Sequence, residues 1–298
     1  MFYSEIFSYL TNYNTQFRSL DIIMSALLLT DDLKSIALTE LCETPDLRRQ
    51  SIDTLKKQIL ELPKENQIND VSDANLITYL RCRKYKLDAA LHQTECVAKF
   101  SKEHPKWINN KSQDFVKFFD VVQVLEDADP EGRVIVIFRP TRIKHLFDDI
   151  NFSEDFTRFQ IWIFERLSKL LKVQICGLIT IISFHGFTIW DNIKLSQRMN
   201  INHRVSLAKY IQTCAGFRLK GAFMFEQPSF FNWMWSIISV FLSDKLKKRI
   251  YLCGSDYKKI KILIRDNSVL PSCLGGKQSN DIGEDWVRQQ SQLEQNGM

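Results

Sequence analysis

The chain has 298 residues, of which 45% are hydrophobic and 25% charged, and its 40 basic and 35 acidic side chains leave a net charge of +5. These proportions exclude a disordered or fibrous chain, and the small net charge excludes a protein whose overall charge alone would attract nucleic acid. The seven cysteines are dispersed without a Cys-x-x-Cys motif, and the first residues lack the basic start of a secretory leader. Because no uncharged run reaches the ~20 residues that cross a bilayer, we expect a cytoplasmic protein with reduced thiols.

The first third of the chain has the pattern of several helices. Thr44 precedes a proline and an aspartate, which is typical of a helix start because the hydroxyl caps free amides and proline suits the first helical position. Apolar residues then recur at helical spacing over 52–62, and again over 76–87 after Ser72. A third helix is predicted over 89–100.

From about residue 120 the pattern changes to short apolar runs separated by helix-length segments. A long helix is predicted to start at Ser153 and another at Pro228. Strands spaced in this way form parallel β-α-β units covered by helices, so we predict an α/β domain behind a helical cap. The predicted strands are 121–125, 134–138, 178–184, 219–225 and 249–253.

Motifs of the common enzyme classes are missing from the sequence. The chain has no Gly-x-Gly-x-x-Gly after a strand, no Gly-x-x-x-x-Gly-Lys-Ser/Thr and no Gly-x-Ser-x-Gly. The five histidines show no metal-ligand spacing with cysteines or carboxylates, so no metal is expected. His185 is the best catalytic candidate, but no nucleophile or orienting acid accompanies it in a recognisable pattern, which favours a hydrogen-bonded structural role. We therefore expect a protein that is not an enzyme and needs no cofactor.

The segment 228–242 contains no charged residue and is rich in aromatic side chains. As a helix it would be about 22 Å long, too short to span a bilayer. Such a helix is either part of a core or shared between a cavity and a membrane surface. The stretch 244–249 follows with four cations suited to anionic lipid headgroups, and a second basic cluster lies over 81–86. Taken alone, both clusters also fit solvated helix faces.

Several segments resemble one known family, and they occur in the family's order. The string Asn-Leu-Ile-Thr-Tyr-Leu-Arg-Cys-Arg-Lys-Tyr over 75–85 resembles the N-terminal helical module of CRAL-TRIO lipid-binding proteins. Shorter matches resemble the family's leader, the start of its first strand, its gate helix, the stretch after that helix and the closing segment, at 41–45, 132–134, 227–231, 241–250 and 270–276. Together they are highly specific, and the chain is identified as a member of the tocopherol-transfer and retinaldehyde-binding (clavesin-like) branch.

The resemblance implies a fold and a domain organisation. A helical N-terminal module is followed by a mostly parallel β-sheet, flanked by helices, which encloses an apolar lipid pocket closed by a mobile gate helix. We expect a disordered N-terminal extension over 1–29, the helical module over 30–118, the lipid-binding domain over 119–277 and a C-terminal tail over 278–298.

The resemblance also implies two sets of site residues. Phosphoinositide binding falls to four cations, which can give one phosphorylated headgroup several charge-assisted hydrogen bonds: Arg83, Lys220, Lys245 and Arg249. The lipid pocket falls to residues that could otherwise be plain core: Gln160, Phe164, Leu178, Ile182, Phe231, Ile238 and Leu242. Gln160 and Phe164 stand where small hydroxyl residues line the tocopherol pocket of the family, and the bulk of Phe164 would reshape that pocket.

The function implied is non-catalytic binding of a small hydrophobic ligand, retinoid- or tocopherol-like, and its transfer between membranes. A basic cleft would dock the cytoplasmic protein reversibly, as a peripheral membrane protein, on membranes that contain phosphatidylinositol bisphosphate. The alternative is a membrane-recruited phosphoinositide-binding adaptor whose aromatic side chains leave no room for exchangeable cargo. The expected partners are a lipid and a membrane surface rather than nucleic acid; protein partners and the identity of the cargo stay open.

Overall fold

A computed structural model describes residues 30–296, except 109, 127–128, 228–230, 232–234 and 237–238. The predicted N-terminal extension and much of the predicted gate segment 228–242 lie outside the described residues. Contacts divide the chain into two compact units, Met1–Ala98 and Lys99–Met298. In the part of the chain that is described, no helix combines the length and the apolar character needed to cross a bilayer.

The first unit is helical, as its sequence predicts. Its helices are α1 (Asp31–Leu41), α2 (Pro45–Glu61), α3 (Asp73–Cys82) and α4 (Leu87–Glu103), the last of which continues into the second unit. Thr44 caps α2 by accepting a hydrogen bond from the amide of Leu47 at 3.2 Å, and Ser72 caps α3 in the same way. Leu55, Ile59 and Leu76 are fully buried in a shared apolar core.

A buried ion cluster joins the start of α2 to the end of α3. Glu43 accepts hydrogen bonds from Arg48 at 2.9 Å and from two nitrogens of Arg81 at 2.9 and 2.8 Å. Arg81 is fully buried, and the Glu43 side chain is almost so. Burial alone would raise the pKa of Glu43, but the two guanidinium groups outweigh it and hold that pKa below its ordinary value.

The cluster predicts an acid-sensitive contribution to stability. A carboxylate whose folded pKa is lowered stabilises the fold above its ordinary pKa of 4.5, and the contribution is lost as the pH falls through the folded pKa. Glu43→Gln should lower the free energy of unfolding by about 3 kcal/mol at neutral pH, because it leaves two buried cations without their partner. Urea unfolding of the variant should also depend less on pH below 4.5.

Glu61→Gln is the matched control, because the Glu61 side chain is exposed and lies 3.9 Å from its ion-pair neighbour, Lys57. This change should cost less than about 0.5 kcal/mol. Equal costs for the two variants would contradict the assignment of the stability to the buried cluster.

The second unit is built on a five-stranded sheet in the order β1-β2-β3-β4-β5. The strand β1 pairs antiparallel to β2, and β2, β3, β4 and β5 pair in parallel. The strands are β1 (Val122–Leu125), β2 (Val134–Phe138), β3 (Leu178–Ser183), β4 (Leu219–Phe225) and β5 (Ile250–Gly254). All five predicted strands are thus confirmed, with ends that differ by at most one residue.

Helices connect the parallel strands. They are α5 (Phe152–Lys169) and α6 (Leu171–Cys176) between β2 and β3, α7 (Ile189–Arg198) and α8 (Ile201–Thr213) between β3 and β4, and α9 (Asp244–Lys247) before β5. Because neighbouring strands follow one another in sequence and crossovers are right-handed, all the crossovers lie on one face of the sheet. Phe164 of α5 marks this crossover face, since its ring lies 6.4 Å from that of Phe138 in β2.

The opposite face of the sheet is closed by the chain that follows β5. The 3₁₀ segments Tyr257–Ile262 and Ser272–Leu274 cover it. Ile260, Ile264 and Leu274 are fully buried against every second residue of the strands, the set that faces this side of the sheet. This face is therefore a dense apolar core with no accessible surface at its centre.

The last segment protects the edge strand β1. The amide of Val124 donates to the carbonyl of Gly283 at 3.1 Å, and helix α10 (Trp286–Gln295) packs on β1 through the buried Trp286. A side chain at Gly283, whose φ is +75°, would collide with the Val124 carbonyl. The region predicted as a C-terminal tail thus contains an ordered helix, and the predicted domain limits stay predictions.

Candidate functional site

The crossover face of the sheet is only partly covered. The opposite face, called the lower face below, is closed by the 3₁₀ segments that follow β5. On the lower face Ile179, Ile181 and Phe223 are completely buried. On the crossover face, Ile182 of the central strand and Met224 beside it keep accessible surface. A central strand flanked by helices on both faces is normally buried on both. The surface left on Ile182 and Met224 therefore marks a space between the sheet and its crossovers.

The space opens toward the carboxyl ends of the strands. At the other end of the crossover face Val134 and Leu178 are fully buried. The pairing β2-β3-β4-β5 places Phe138, Ile182, Met224 and Leu252 in one row near the carboxyl ends. All of these side chains are apolar. The site is thus an apolar floor exposed at one end of the sheet.

Helix α5 forms one wall of this space. The Phe164 ring lies 5.3 Å from that of Phe217 as well as beside Phe138, so Phe164 fills part of the space over β2. Gln160 lies one turn earlier on α5 and therefore on the same side of the helix. Its Oε1 atom is buried and has no hydrogen-bond partner.

The described residues of the segment 228–242 differ in their exposure. Phe231 is buried and its ring lies 6.0 Å from that of Phe184, at the end of β3. Leu242 is buried, whereas the neighbouring Val240 and Phe241 are exposed. Ile238 lies outside the described residues.

The sequence-predicted pocket residues are therefore distributed unequally. Gln160, Phe164 and Ile182 lie at the partly covered face, while Leu178 has no accessible surface and lies at the closed end of the same face. Sequence reasoning missed Met224 and Leu252, which share the row of Ile182. Alternation within β4 and β5 indicates that each residue shares a face with every second neighbour. Assigning Met224 and Leu252 to the row of Ile182 also requires the register between the strands.

A polar cluster lies where β3 and β4 end. His185 Nδ1 is 2.9 Å from Glu226 Oε2, and the Tyr257 hydroxyl donates to Glu226 Oε1 at 2.5 Å. Burial, and then the hydrogen bond to Glu226, raise the pKa of Tyr257. Glu226 itself has a φ of +52°. His185 thus takes part in a hydrogen-bonded cluster, and its ring pairs with a carboxylate, Glu226, that the sequence pattern did not reveal.

Two of the predicted basic residues, Lys220 and Arg249, lie near the amino ends of β4 and β5. Arg249 donates from its Nη1 to the carbonyl of Leu219, directly before Lys220, and its own carbonyl accepts from Ala222 at 2.7 Å. A Cβ atom at Gly177 would lie 3.1 Å from Cγ of Lys220, so glycine gives the lysine stem room to cross. Both cations are half-buried and are held by the pairing of β4 with β5.

The other two predicted cations have different settings. Lys245 is exposed on α9, four residues before Arg249. Arg83 belongs to the first unit, where its Nε donates to Gln93 Oε1 at 2.7 Å. Lys84 and Tyr85, which follow it, both have left-handed backbone conformations.

Comparison with known proteins identifies the family. Residues 118–276 match the family described as CRAL/TRIO domain. The chain belongs to this family. The family binds and transfers small hydrophobic lipids, which fits an apolar floor with a partly covered face.

Relatives and a solved structure agree with this assignment. The chain is 26% identical to human "Alpha-tocopherol transfer protein-like" over 83% of this chain and 71% of that protein. It is 25% identical to human "Clavesin-2" over 84% of this chain and 75% of that protein. The structure reported as "Crystal structure of Sfh5" matches with a TM-score of 0.52 and 14% identity, covering 84% of this chain and 98% of that one. The predicted family and the predicted α/β fold, a mostly parallel sheet flanked by helices, are confirmed.

The unequal cover of the two sheet faces predicts unequal costs of truncation. Phe223→Ala should lower the free energy of unfolding by about 3–5 kcal/mol, because it leaves an enclosed cavity. Phe164→Ala should cost about 1–2 kcal/mol less, because the gap joins a space that already exists. Urea unfolding of the two variants measures the difference, and equal costs would mean that the crossover face is as closed as the lower one.

Proposed function

We propose that this protein binds one small hydrophobic molecule, retinoid- or tocopherol-like, above the crossover face and carries it between membranes without chemical change. The observation that carries this proposal is the accessible surface on Ile182 and Met224, whose strand neighbours on the other face, Ile181 and Phe223, are fully buried. Apolar surface in such a place gains roughly 25 cal/mol per Å² when a ligand covers it, before the entropy costs of binding. The relatives named for tocopherol transfer support a cargo of this class.

We also propose that a basic surface docks the protein reversibly on membranes that contain phosphatidylinositol bisphosphate. Lys220, Lys245 and Arg249 carry three positive charges on two adjacent strands and the short helix before the second of them. Phosphorylated headgroups accept several charge-assisted hydrogen bonds at once, which a zwitterionic headgroup cannot match. Arg83 stays a prediction from the family pattern. The protein would then be cytoplasmic and peripheral on membranes.

Apolar side chains next to the basic surface support the same orientation. Val240 and Phe241 are exposed, four to nine residues before Lys245 and Arg249. Gln212 of α8 holds this stretch by accepting from the amide of Ser243 at 2.7 Å and donating to the carbonyl of Phe241 at 3.0 Å. Exposed apolar groups beside cations are the combination that binds an anionic bilayer surface. We propose that cargo leaves through the segment 228–242, which links the carboxyl end of β4 to this surface.

One observation favours the alternative, a membrane-recruited adaptor without exchangeable cargo. Phe164 fills part of the space, between Phe138 and Phe217. If the remaining volume is too small for a lipid, the basic surface would still recruit the protein to membranes.

Vesicle binding tests the proposed division between docking and cargo binding. Lys245→Ala combined with Arg249→Ala should weaken binding to vesicles containing phosphatidylinositol bisphosphate about thirty-fold, since each cation contributes about 1 kcal/mol near an anionic surface. The affinity for a fluorescent lipid cargo should stay nearly unchanged. Co-sedimentation with vesicles and cargo fluorescence titration measure the two quantities, with circular dichroism to verify the fold.

Lys258→Ala combined with Lys261→Ala removes the same charge from exposed positions elsewhere in the second unit and serves as the control. It should change vesicle binding far less. Equal losses of vesicle binding for both pairs would mean that docking depends only on the net charge of the protein. Parallel loss of vesicle and cargo binding in a folded Lys245/Arg249 variant would overturn the division of labour.

A further inference from the structure

Arg139, directly after β2, is a buried cation without a carboxylate partner in the described part of the chain. Only 9% of its surface is accessible. Its Nη1 donates to the carbonyl of Asn280 at 3.2 Å, while its Nε is buried and has no acceptor. The nearby carboxylate of Glu284 pairs with Arg142 instead. Burial lowers the pKa of Arg139, so its charge is poorly compensated, although an arginine stays protonated at neutral pH.

The remaining arm of this guanidinium points at a cysteine. Nη2 of Arg139 donates to Sγ of Cys273 at 3.1 Å. Cys273 lies in the 3₁₀ segment Ser272–Leu274, and its amide donates to Asn280 Oδ1 at 3.0 Å, which fixes the segment beside Arg139. The residue keeps accessible surface. A guanidinium at the sulfur stabilises the negative charge of a thiolate, which is the form of cysteine that attacks oxidants.

Four other cysteines show what separates Cys273 from an ordinary thiol. Cys176, Cys214 and Cys253 are buried, and burial raises the pKa of Cys253. Such thiols are inert because the oxidant cannot reach them and the thiolate is disfavoured. Cys42 is exposed, and its sulfur has no hydrogen-bond partner among the described residues. Cys42 therefore shows what exposure alone provides, without a guanidinium at the sulfur.

We propose that Cys273 is a site of oxidation by hydroperoxides and that Arg139 makes it reactive. The Cys273 thiolate attacks one oxygen of the peroxide, so that an S–O bond forms while the O–O bond breaks. The leaving hydroxide takes up the proton that the thiol has released and becomes water. The sulfur loses two electrons and becomes a sulfenic acid, while the peroxide is reduced. The added oxygen is a new acceptor beside a guanidinium whose Nε has none. This inference depends on neither cargo binding nor membrane docking.

Oxidation of the full chain by limiting hydrogen peroxide tests the proposal, with dimedone present to trap sulfenic acids. Peptide mass spectrometry gives the labelling rate of each cysteine. In the wild-type protein Cys273 should be labelled about ten-fold faster than Cys42, because a stabilised thiolate outweighs the greater exposure of Cys42. Equal rates, or a faster Cys42, would overturn the inference.

Two variants separate the contact with Arg139 from the general charge of the region. Arg139→Gln should slow the labelling of Cys273 to about the rate of Cys42, because it removes the guanidinium at the sulfur. The variant should fold, since it removes a buried charge that has no carboxylate partner, and circular dichroism verifies this. Arg142→Gln removes the same charge where the cation pairs with Glu284, and should leave the labelling rate of Cys273 unchanged.

Unchanged labelling of Cys273 in a folded Arg139→Gln variant would contradict the role of Arg139. Equal slowing by Arg139→Gln and Arg142→Gln would do the same, because it would assign the effect to charge in general. If Arg139→Gln does not fold, the comparison of Cys273 with Cys42 in the wild-type protein decides.

Discussion

The order of the strands governs the rest of the second unit. Because β2, β3, β4 and β5 are parallel neighbours in sequence order, right-handed connections place α5 and the α7–α8 pair on one face. Among the described residues, this face carries these longer helical crossovers, while short 3₁₀ segments cover the other. The short segments pack closely and leave no gap, whereas the crossovers bridge over the sheet and leave the row of Ile182 and Met224 partly open.

The two ends of the parallel strands have different chemistry. At the amino ends, Arg249 donates to the carbonyl of Leu219, directly before Lys220, and the lack of a side chain at Gly177 leaves room for the Lys220 stem. At the carboxyl ends, the site is apolar on its floor and bounded by the hydrogen-bonded cluster of His185, Glu226 and Tyr257. This separation suits a protein that presents charge to a headgroup and apolar surface to a lipid chain.

Sequence patterns were sufficient for the elements and for the family, but not for the shape of the site. The runs 134–138 and 219–225 predicted β2 and β4 without error, since continuous apolar stretches between helical segments are typical of buried parallel strands. The roles of Met224 and Leu252 could not be predicted, because which alternate residues face the crossovers depends on the register between strands. The burial of the Gln160 side-chain oxygen was also beyond the sequence, since it is a property of packing. Conversely, Leu178 matched the family pattern and yet is fully covered.

The central claim is that the space above the crossover face holds a cargo molecule. Native mass spectrometry of the purified protein, followed by organic extraction and identification of the released compound, tests it most directly. The account predicts one hydrophobic molecule per chain, lost on extraction. A chain that is empty when purified and takes up no lipid, yet still binds phosphoinositide vesicles, would contradict the claim and favour the adaptor.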